Sequence, residues 1–405
     1  MTDLIATRAE GERLLAAFAP RMGRRYANGR NTDHGPGAHK AVSQLSPYIR
    51  RRLVLESDAV ATALAAHGPQ DAEKFVQEVI WRGYFKGWLE RRPQVWASYR
   101  TGLAGDLAAL DRDRRLRRDV ERAMQGQTGL DCFDAWAEEL TSTGYLHNHA
   151  RMWFASIWIF TLRLPWRLGA DFFYRHLLDG DAASNTLGWR WVAGLHTRGK
   201  PYPADAANIA TFTAGRFAPR PTDLAEVTEG LEATEPEGLP PVLPLRSVVA
   251  PRPGVPTALL ITDEDCRVED FGLSAFDLRT TATLAASHLR SPQPVADPVA
   301  RFEEAALADA AARAGGATVC LRADDPGALV RWAAAAGARQ IATPFVTQGP
   351  LRDWLNQATP GLAAQGITLC EWQRDWDRAI WPHATAGFFK VKQQIPRLLE
   401  DLLPA

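Results

Sequence analysis

Six side chains able to hold or act on a polar ligand fall within residues 141–191: His147, Asn148, Arg151, Asp179, Asp181 and Asn185. They are set among five tryptophans, Trp153, Trp158, Trp166, Trp189 and Trp191, in an otherwise largely apolar stretch. Buried polar and charged groups are costly unless they are paired or hydrogen-bonded. So dense a set implies a polar, aromatic guest around which the segment is built. A bound flavin fits that requirement.

The spacing groups these residues on faces. Asn148 and Met152 are four apart and share a helical face with Arg151 beside it. Upstream, Glu78 and Trp81 are three apart in FVQEVIWRG and also share a face. On an ordinary helix that pair is a solvated acid next to a core tryptophan. In DGDAASNTLGWRW, Asp179 and Gly180 make a turn, and Asp181 is placed to cap a helix running through Asn185 and Trp189. In LSPYIRRRL, Ser46 is a good N-cap and Pro47 suits the first helical position. Helix N-termini attract phosphate, and Ser43 adds a hydroxyl. His147 and His149 have no third ligand in view, so no metal site is expected.

The elements that must position these groups can be read from the rest of the chain. Its 405 residues suggest two or three domains, and its 47 basic and 47 acidic side chains cancel, so only local clusters can speak for a nucleic-acid partner. One such cluster is Arg21, Arg24, Arg25, Arg30, Lys40, Arg50, Arg51 and Arg52, opposed by Asp33 alone. It permits DNA binding and is equally a solvated basic loop. The four cysteines lie far apart without a CxxC pair, which suits reduced thiols in a cytoplasm. The N-terminus lacks the apolar core of a secretory signal, and the longest apolar run, Met152–Phe160, is too short to span a bilayer. A cytoplasmic protein with no membrane partner is expected. Leucine, alanine and aromatics at three- and four-residue spacing predict helices from about residue 5 to 220. Residues 226–256 hold seven prolines and read as an extended linker. Beyond it, strands are predicted at Thr257–Thr262, Thr281–Ser287, Thr318–Arg322, Gln340–Thr343 and Ile367–Glu371, with helices at Val299–Ala314 and Pro326–Ala336 between them. That alternation implies a parallel α/β sheet with right-handed crossovers. No GxGxxG loop follows the first strand. The expected organisation is a helical domain over 1–225, a linker over 226–255 and an α/β (Rossmann-like) domain over 256–405.

GYLHNHARM followed by LLDGDAASNTLGWRW closely resembles the flavin-binding core of the photolyase/cryptochrome family. SQLSPY resembles its phosphate-gripping turn and EVIWR its substrate-side helix, all in the family's order over roughly residues 8–220. The resemblance implies an all-helical FAD-binding domain. Tyr26, Ser43, Ser46 and the Leu45 backbone would contact the FAD phosphates, and Arg82 would approach the cofactor. Arg151 and Asp179 would form a charge pair over the flavin ring, Asp181 would face its pyrimidine edge and Asn185 its N5. Trp189 and Trp166 match the first two members of the family's electron-transfer chain. Where many members carry the third there is Asp113 or a neighbour, and Trp153 or Trp158 would substitute.

The resemblance also implies a substrate. In the family's cyclobutane-dimer enzymes, the residues matching Glu78, Trp81, Asn148, Met152 and Trp191 receive a flipped pyrimidine dimer. Such chemistry needs aromatic walls to replace lost base stacking and polar edges to read carbonyls. Members acting on (6-4) photoproducts place histidine at the Asn148 position. Departures are Val42 for threonine, Gln44 for arginine, Gly83 for glutamate, and His149 for an arginine on the dimer's phosphate side. The stretch RADDPGALVRWAAAAGARQI and the later WPHATAGFF are similar to parts of the family's antenna domain. That domain usually comes first, so the resemblance implies a permuted order, with a second chromophore possible in principle, although DEDCRVED lacks the basic signature after the first strand. The expected function is FAD-dependent, light-driven repair of cyclobutane pyrimidine dimers in damaged DNA. The alternative is a cryptochrome-like blue-light photoreceptor acting on a signalling protein. A nicotinamide-dependent flavoprotein reductase is disfavoured by the missing fingerprint.

Overall fold

The computed structural model describes residues 5–403. Its N-terminal part is built from helices α1 (Arg8–Phe18), α2 (Arg24–Gly29), α3 (Ser46–Arg50), α4 (Glu56–Glu90), α5 (Pro93–Arg112), α6 (Arg114–Met124), α7 (Asp131–Thr143), α8 (Asn148–Ser156), α9 (Trp166–His176), α10 (Ala182–Val192) and α11 (Ala206–Phe212). The C-terminal part follows as β1 (Pro256–Thr262), β2 (Asp277–Ala285), α12 (Asp297–Ala314), β3 (Thr318–Arg322), α13 (Pro326–Ala335), β4 (Gln340–Pro344), α14 (Pro350–Ala364), β5 (Thr368–Trp372), α15 (Asp375–Ile380), α16 (Phe389–Lys392) and α17 (Ile395–Leu402). The helical region and the parallel α/β region expected from the sequence are both present. No described helix is long and apolar enough to cross a membrane.

Local chemistry explains the breaks that matter for the site. Within α4, Gly68 sits at φ +69° and Pro69 restarts the helix, so its second segment leads from Pro69 into Glu78, Trp81 and Arg82. Helix α8 starts where His147 Nδ1 accepts the His149 N–H at 3.2 Å. Helix α10 starts where Asp181 Oδ1 accepts the Ser184 N–H at 2.7 Å, as the sequence suggested. Helix α3 begins one residue earlier than expected: Leu45 is its N-cap and Ser46 its first residue.

The five strands are all parallel, in the order β3-β2-β1-β4-β5. Strand side chains alternate between faces. Ala258 and Leu260 of β1 pack with Leu329, Leu355 and Leu362 under α13 and α14. Leu259 and Ile261 join the apolar cluster that also contains Phe75, Trp153 and Trp189 of the helical part. One continuous core therefore runs from helices into sheet. The proline-rich segment follows its outside, with one 3-10 turn at Leu231–Thr234. It is tied down by Leu243 N–H to Arg91 O, by Glu371 N–H to Val249 O, both at 2.8 Å, and by the buried Arg190 against Glu235.

The seam between helices and sheet corrects one expectation. Arg50, Arg51 and Arg52 are buried, and each meets an acid from the turn after β1. Arg50 donates to the Asp263 carbonyl at 2.6 Å and to Glu264 Oε1 at 2.7 Å. Arg51 donates to Leu178 O at 2.7 Å and faces Asp263 at 3.5 Å. Arg52 meets Asp377 at 2.7 Å, Glu56 at 3.3 Å and Asp265 at 3.4 Å. These three of the cluster's eight basic residues form no solvent-facing patch. Their charge is neutralised by the acidic DED turn more than two hundred positions downstream together with Asp377 and Glu56, because burial there is tolerable only with partners.

Candidate active site

A cavity of about 510 Å³ lies within the helical part, lined by α2, the turn before α3, α4, α8 and α10. Fifteen of the seventeen residues that the resemblance places at the cofactor, at the substrate or in the first two steps of the electron-transfer chain line it: Tyr26, Ser43, Leu45, Ser46, Glu78, Trp81, Arg82, Asn148, Arg151, Met152, Asp179, Asp181, Asn185, Trp189 and Trp191. Its size is in the range that encloses a cofactor or drug-sized ligand.

One end is built for negative charge and hydrogen-bond acceptors. Arg151 Nη2 reaches both Asp179 oxygens at 3.1 Å, while its Nε donates to Leu146 O at 2.8 Å. Burial alone would raise the Asp179 carboxyl, but Arg151, Arg82 and the Ser46 hydroxyl outweigh it and hold it below the ordinary range. Burial acts the same way on Asp181, and Lys86, Arg82 and Arg50 outweigh it to hold that carboxyl at about 2. Burial pushes the Tyr26 phenol well up, so it remains a neutral donor. Gln44, in the turn that carries Ser43, is held at φ +53°, and the Leu45 N–H there already donates to Ser43 Oγ at 3.3 Å.

The fit to FAD rests on what the protein leaves unmet. Arg82 Nη1 and Trp189 Nε1, both on residues lining the cavity, are buried donors with no protein acceptor. Such orphans are expensive unless a ligand supplies the partner. Asn185 Nδ2 donates to Ala170 O at 2.8 Å, which leaves its carbonyl oxygen for the cavity. Gly188, one turn further along α10, lines the same wall, and a Cβ there would meet nothing within 4 Å. Arg82, Arg151, Tyr26, Ser43, Ser46 and Asn185 are thus the residues able to hold a flat, phosphate-bearing cofactor.

The other end is aromatic. Trp81 is half-buried and stacks on Phe388 with ring centroids 3.8 Å apart and planes 12° apart. Phe388 belongs to the C-terminal WPHATAGFF stretch, so that segment backs the Trp81 ring. Trp191 packs against Tyr202 at 5.3 Å. Glu78 is 39% exposed at its side chain and pairs with Arg30 Nε at 3.4 Å, a partner that spacing along the chain does not reveal. Burial raises the Glu78 carboxyl, against the pull of Arg30 and Lys74.

Two singled-out residues stand away from this cavity. His149 stacks on Trp153 at 4.1 Å, and its ring nitrogens lie 2.9 Å from Asn31 O and 3.3 Å from Tyr202 Oη. Both nitrogens are engaged within the protein. Trp166 packs on Tyr99 at 5.9 Å, whereas the rings around Trp189 are Phe173 at 5.1 Å, Trp158 at 6.3 Å and Phe154 at 6.5 Å. Gly169, one turn from Trp166 on α9, lets the Trp189 ring come close: a Cβ there would lie 2.3 Å from Trp189 and 2.9 Å from Trp158. Asp33, His39 and Glu139 form a buried cluster that spacing did not suggest, with His39 Nε2 2.8 Å from Glu139. The Asp33 oxygens already accept from Gly35 N–H, Trp136 Nε1 and Arg216, so this cluster is a clamp on the loop before α3. His147 stacks on His39 at 5.7 Å, and burial lowers its imidazole to about 4.

Residues 75–214 match the family described as the FAD binding domain of DNA photolyase. A deoxyribodipyrimidine photo-lyase of Streptomyces griseus is 35% identical over 184 residues, covering 44% of this chain and 38% of that protein. The enzyme of the same name from Thermus thermophilus is 36% identical over 190 residues, covering 46% and 43%. The chain thus spans less than half the length of these curated relatives. The solved structure of a bacterial class III photolyase from Agrobacterium tumefaciens aligns at a TM-score of 0.43 and 22% identity, over 60% of this chain and 53% of that one. The helical part of this protein is a photolyase-type FAD-binding domain, and over that part the chain is similar to the photolyase/cryptochrome family.

Proposed function

We propose that this protein repairs cyclobutane pyrimidine dimers in DNA with light, as a deoxyribodipyrimidine photolyase-like lyase. The observation that carries the proposal is that one cavity gathers both sets of residues, the polar set that fits FAD and the set Glu78, Trp81, Asn148, Met152 and Trp191. Bound FAD would supply light-driven one-electron donation to the dimer and take the electron back once the cyclobutane ring has split. The residues of the chain would do the rest. Trp81 and Trp191 would replace the base stacking lost when the dimer is flipped, and Phe388 keeps Trp81 in one orientation. Asn148 and Glu78 would read the pyrimidine edges, with Arg30 aiming the Glu78 carboxyl. Trp189 would return electrons to an oxidised cofactor, with Trp166 or Trp158 behind it.

Residues 256–405 are read as the counterpart of the family's antenna domain, joined in permuted order through 226–255 to the helical domain at 1–225. In doubly wound sheets, ligands bind outside the carboxyl ends of the strands where the strand order reverses. Here that point lies between β1 and β4, and the cavity beside it, lined by Arg50, Asp263, Glu264 and Thr347, is about 20 Å³. That is room for one water, so a second chromophore would require the seam to open.

A second reading, a blue-light photoreceptor acting on a protein partner, is favoured by the burial of Arg50–Arg52. It removes positive charge that would otherwise release counterions from DNA. The deciding experiment illuminates reduced, FAD-loaded protein with dimer-containing single- and double-stranded DNA. Loss of dimers is expected. Dimers that persist while the protein retains flavin and undergoes photoreduction would overturn repair in favour of the photoreceptor.

A further inference from the structure

Lys86 is a lysine with almost no exposure, on the same face of α4 as Arg82 and one turn beyond it. Its Nζ lies 3.7 Å from Asp181 Oδ2 and 3.6 Å from Glu264 Oε2. The two carboxylates belong to different parts of the protein. Asp181 caps α10 and lines the large cavity. Glu264 sits in the turn after β1, where its Oε1 accepts from Arg50 at 2.7 Å and its Oε2 from Thr347 Oγ at 3.0 Å. Burying an ammonium is costly unless it is paired, and here one charge is shared between two acids. In a poorly screened interior, what one partner takes from that charge the other loses.

We propose that Glu264 is a positioning residue of the cofactor site. Through Lys86 it sets the electrostatic potential at the Asp181 wall, so the α/β region tunes how readily bound flavin is reduced. Glu264 draws Lys86 toward the sheet. Without its charge, Asp181 is the one acid left within 4 Å of Lys86 Nζ among the described residues, and the cavity wall becomes more positive. Reduction adds negative charge to the flavin, so a more positive wall favours the reduced form. This inference rests on the reading that the cavity holds FAD.

The test is a double-mutant cycle on the FAD-loaded protein, reading the flavin midpoint potential by spectroelectrochemistry. Glu264→Gln is expected to shift the reduced-to-oxidised ratio about tenfold toward reduced, ~30 mV for a two-electron couple. That is the order expected for a fraction of a unit charge left uncompensated on Lys86 at the Asp181 wall, screened by an effective dielectric of about 20. Lys86→Met is expected to shift the ratio the other way and to abolish most of the Glu264→Gln effect, while Lys86→Arg keeps the wild-type potential. An unchanged potential in Glu264→Gln, or an equal shift with and without Lys86, overturns the proposal. The same cycle read as thermal midpoints of apoprotein needs no flavin. Coupling there, in a protein that binds no FAD, would refute the cofactor reading while leaving the bridge intact; absence of coupling there refutes the bridge itself.

Discussion

Glu90 closes α4 under the loop that follows β4, and its environment makes stability depend on pH in an unusual direction. The Gln348 N–H donates to its Oε1 at 2.6 Å, but its Oε2 is buried with no partner. Burial pushes this carboxyl up from the ordinary 4.5 to about 7, with Arg246, the Gln348 N–H and Arg352 opposing the rise and Glu371 adding to it. Between those two values the unfolded chain has released a proton that the folded chain keeps. Stability therefore falls as pH rises through that window, is unaffected by this group below it, and carries the full cost above it. At ~1.4 kcal/mol per tenfold the cost approaches ~3 kcal/mol. Glu90→Gln keeps the acceptor for Gln348 and removes the charge, so it should match wild type near pH 4.5 and exceed it above pH 7 by about 2–3 kcal/mol. Equilibrium unfolding of both proteins across that range is the assay. Parallel pH profiles, or a variant less stable than wild type at pH 8, would refute the reasoning.

Three further perturbations address the cavity and its supports. Gly188→Leu should gain about 1 kcal/mol of helix propensity while projecting a side chain into open cavity. Loss of flavin absorbance with an unchanged or higher thermal midpoint is expected, and full flavin content would show that the cofactor lies elsewhere. Gly87→Ala would put a Cβ 2.7–2.8 Å from the ring and backbone of Trp381. It should destabilise by about 1–3 kcal/mol despite alanine's helix preference, and a wild-type midpoint in thermal unfolding would count against the tight packing of α4 on Trp381. Trp189→Phe should abolish photoreduction of bound flavin, and comparing Trp166→Phe with Trp158→Phe in transient absorption identifies the second donor. If neither slows photoreduction, the route through Trp189 is wrong.

The sequence was most legible where chemistry is local. The run TALLIT, the Asp181 cap and the Pro326 helix start each have their cause within a few residues, and each lies where expected. Strand β2 is the instructive exception. It starts at Asp277 rather than near Thr281, because its first residues pair with β1 from Pro256 onward even though their own pattern is polar. Arg50–Arg52 read as a solvated basic run because Glu56 is the one acid near them in sequence that meets them, and the others that oppose them lie at 263–265 and 377. The DED turn in turn looked like a missing basic signature. Each half is uninformative alone, since complementarity of this kind exists only in three dimensions. The cavity residues were legible as a set because resemblance supplied their grouping. The Arg30–Glu78 pair and the Phe388 backing of Trp81 were not, since loop conformation and distant chain create them.

Gly83 shows why the helical part and the sheet have to be considered together. Where the family resemblance implies glutamate after the Trp-Arg pair, a Cβ in this chain would already lie 3.2 Å from Ile380 and 3.4 Å from Trp376. A glutamate would have to bury its charge between those apolar groups. The departure is therefore the signature of α15 docking on α4, and Gly87 against Trp381 extends the same stripe by one turn. Helix α4 consequently has two opposed duties. Glu78, Trp81, Arg82 and Phe85 face the cavity, while Gly83, Gly87 and Glu90 accept the C-terminal region. Lys86 lies between the two faces and touches an acid from each side. A single element that forms both the wall of the cavity and the seat of the sheet brings charges of the α/β region within ion-pair distance of a side chain on the cavity's own helix.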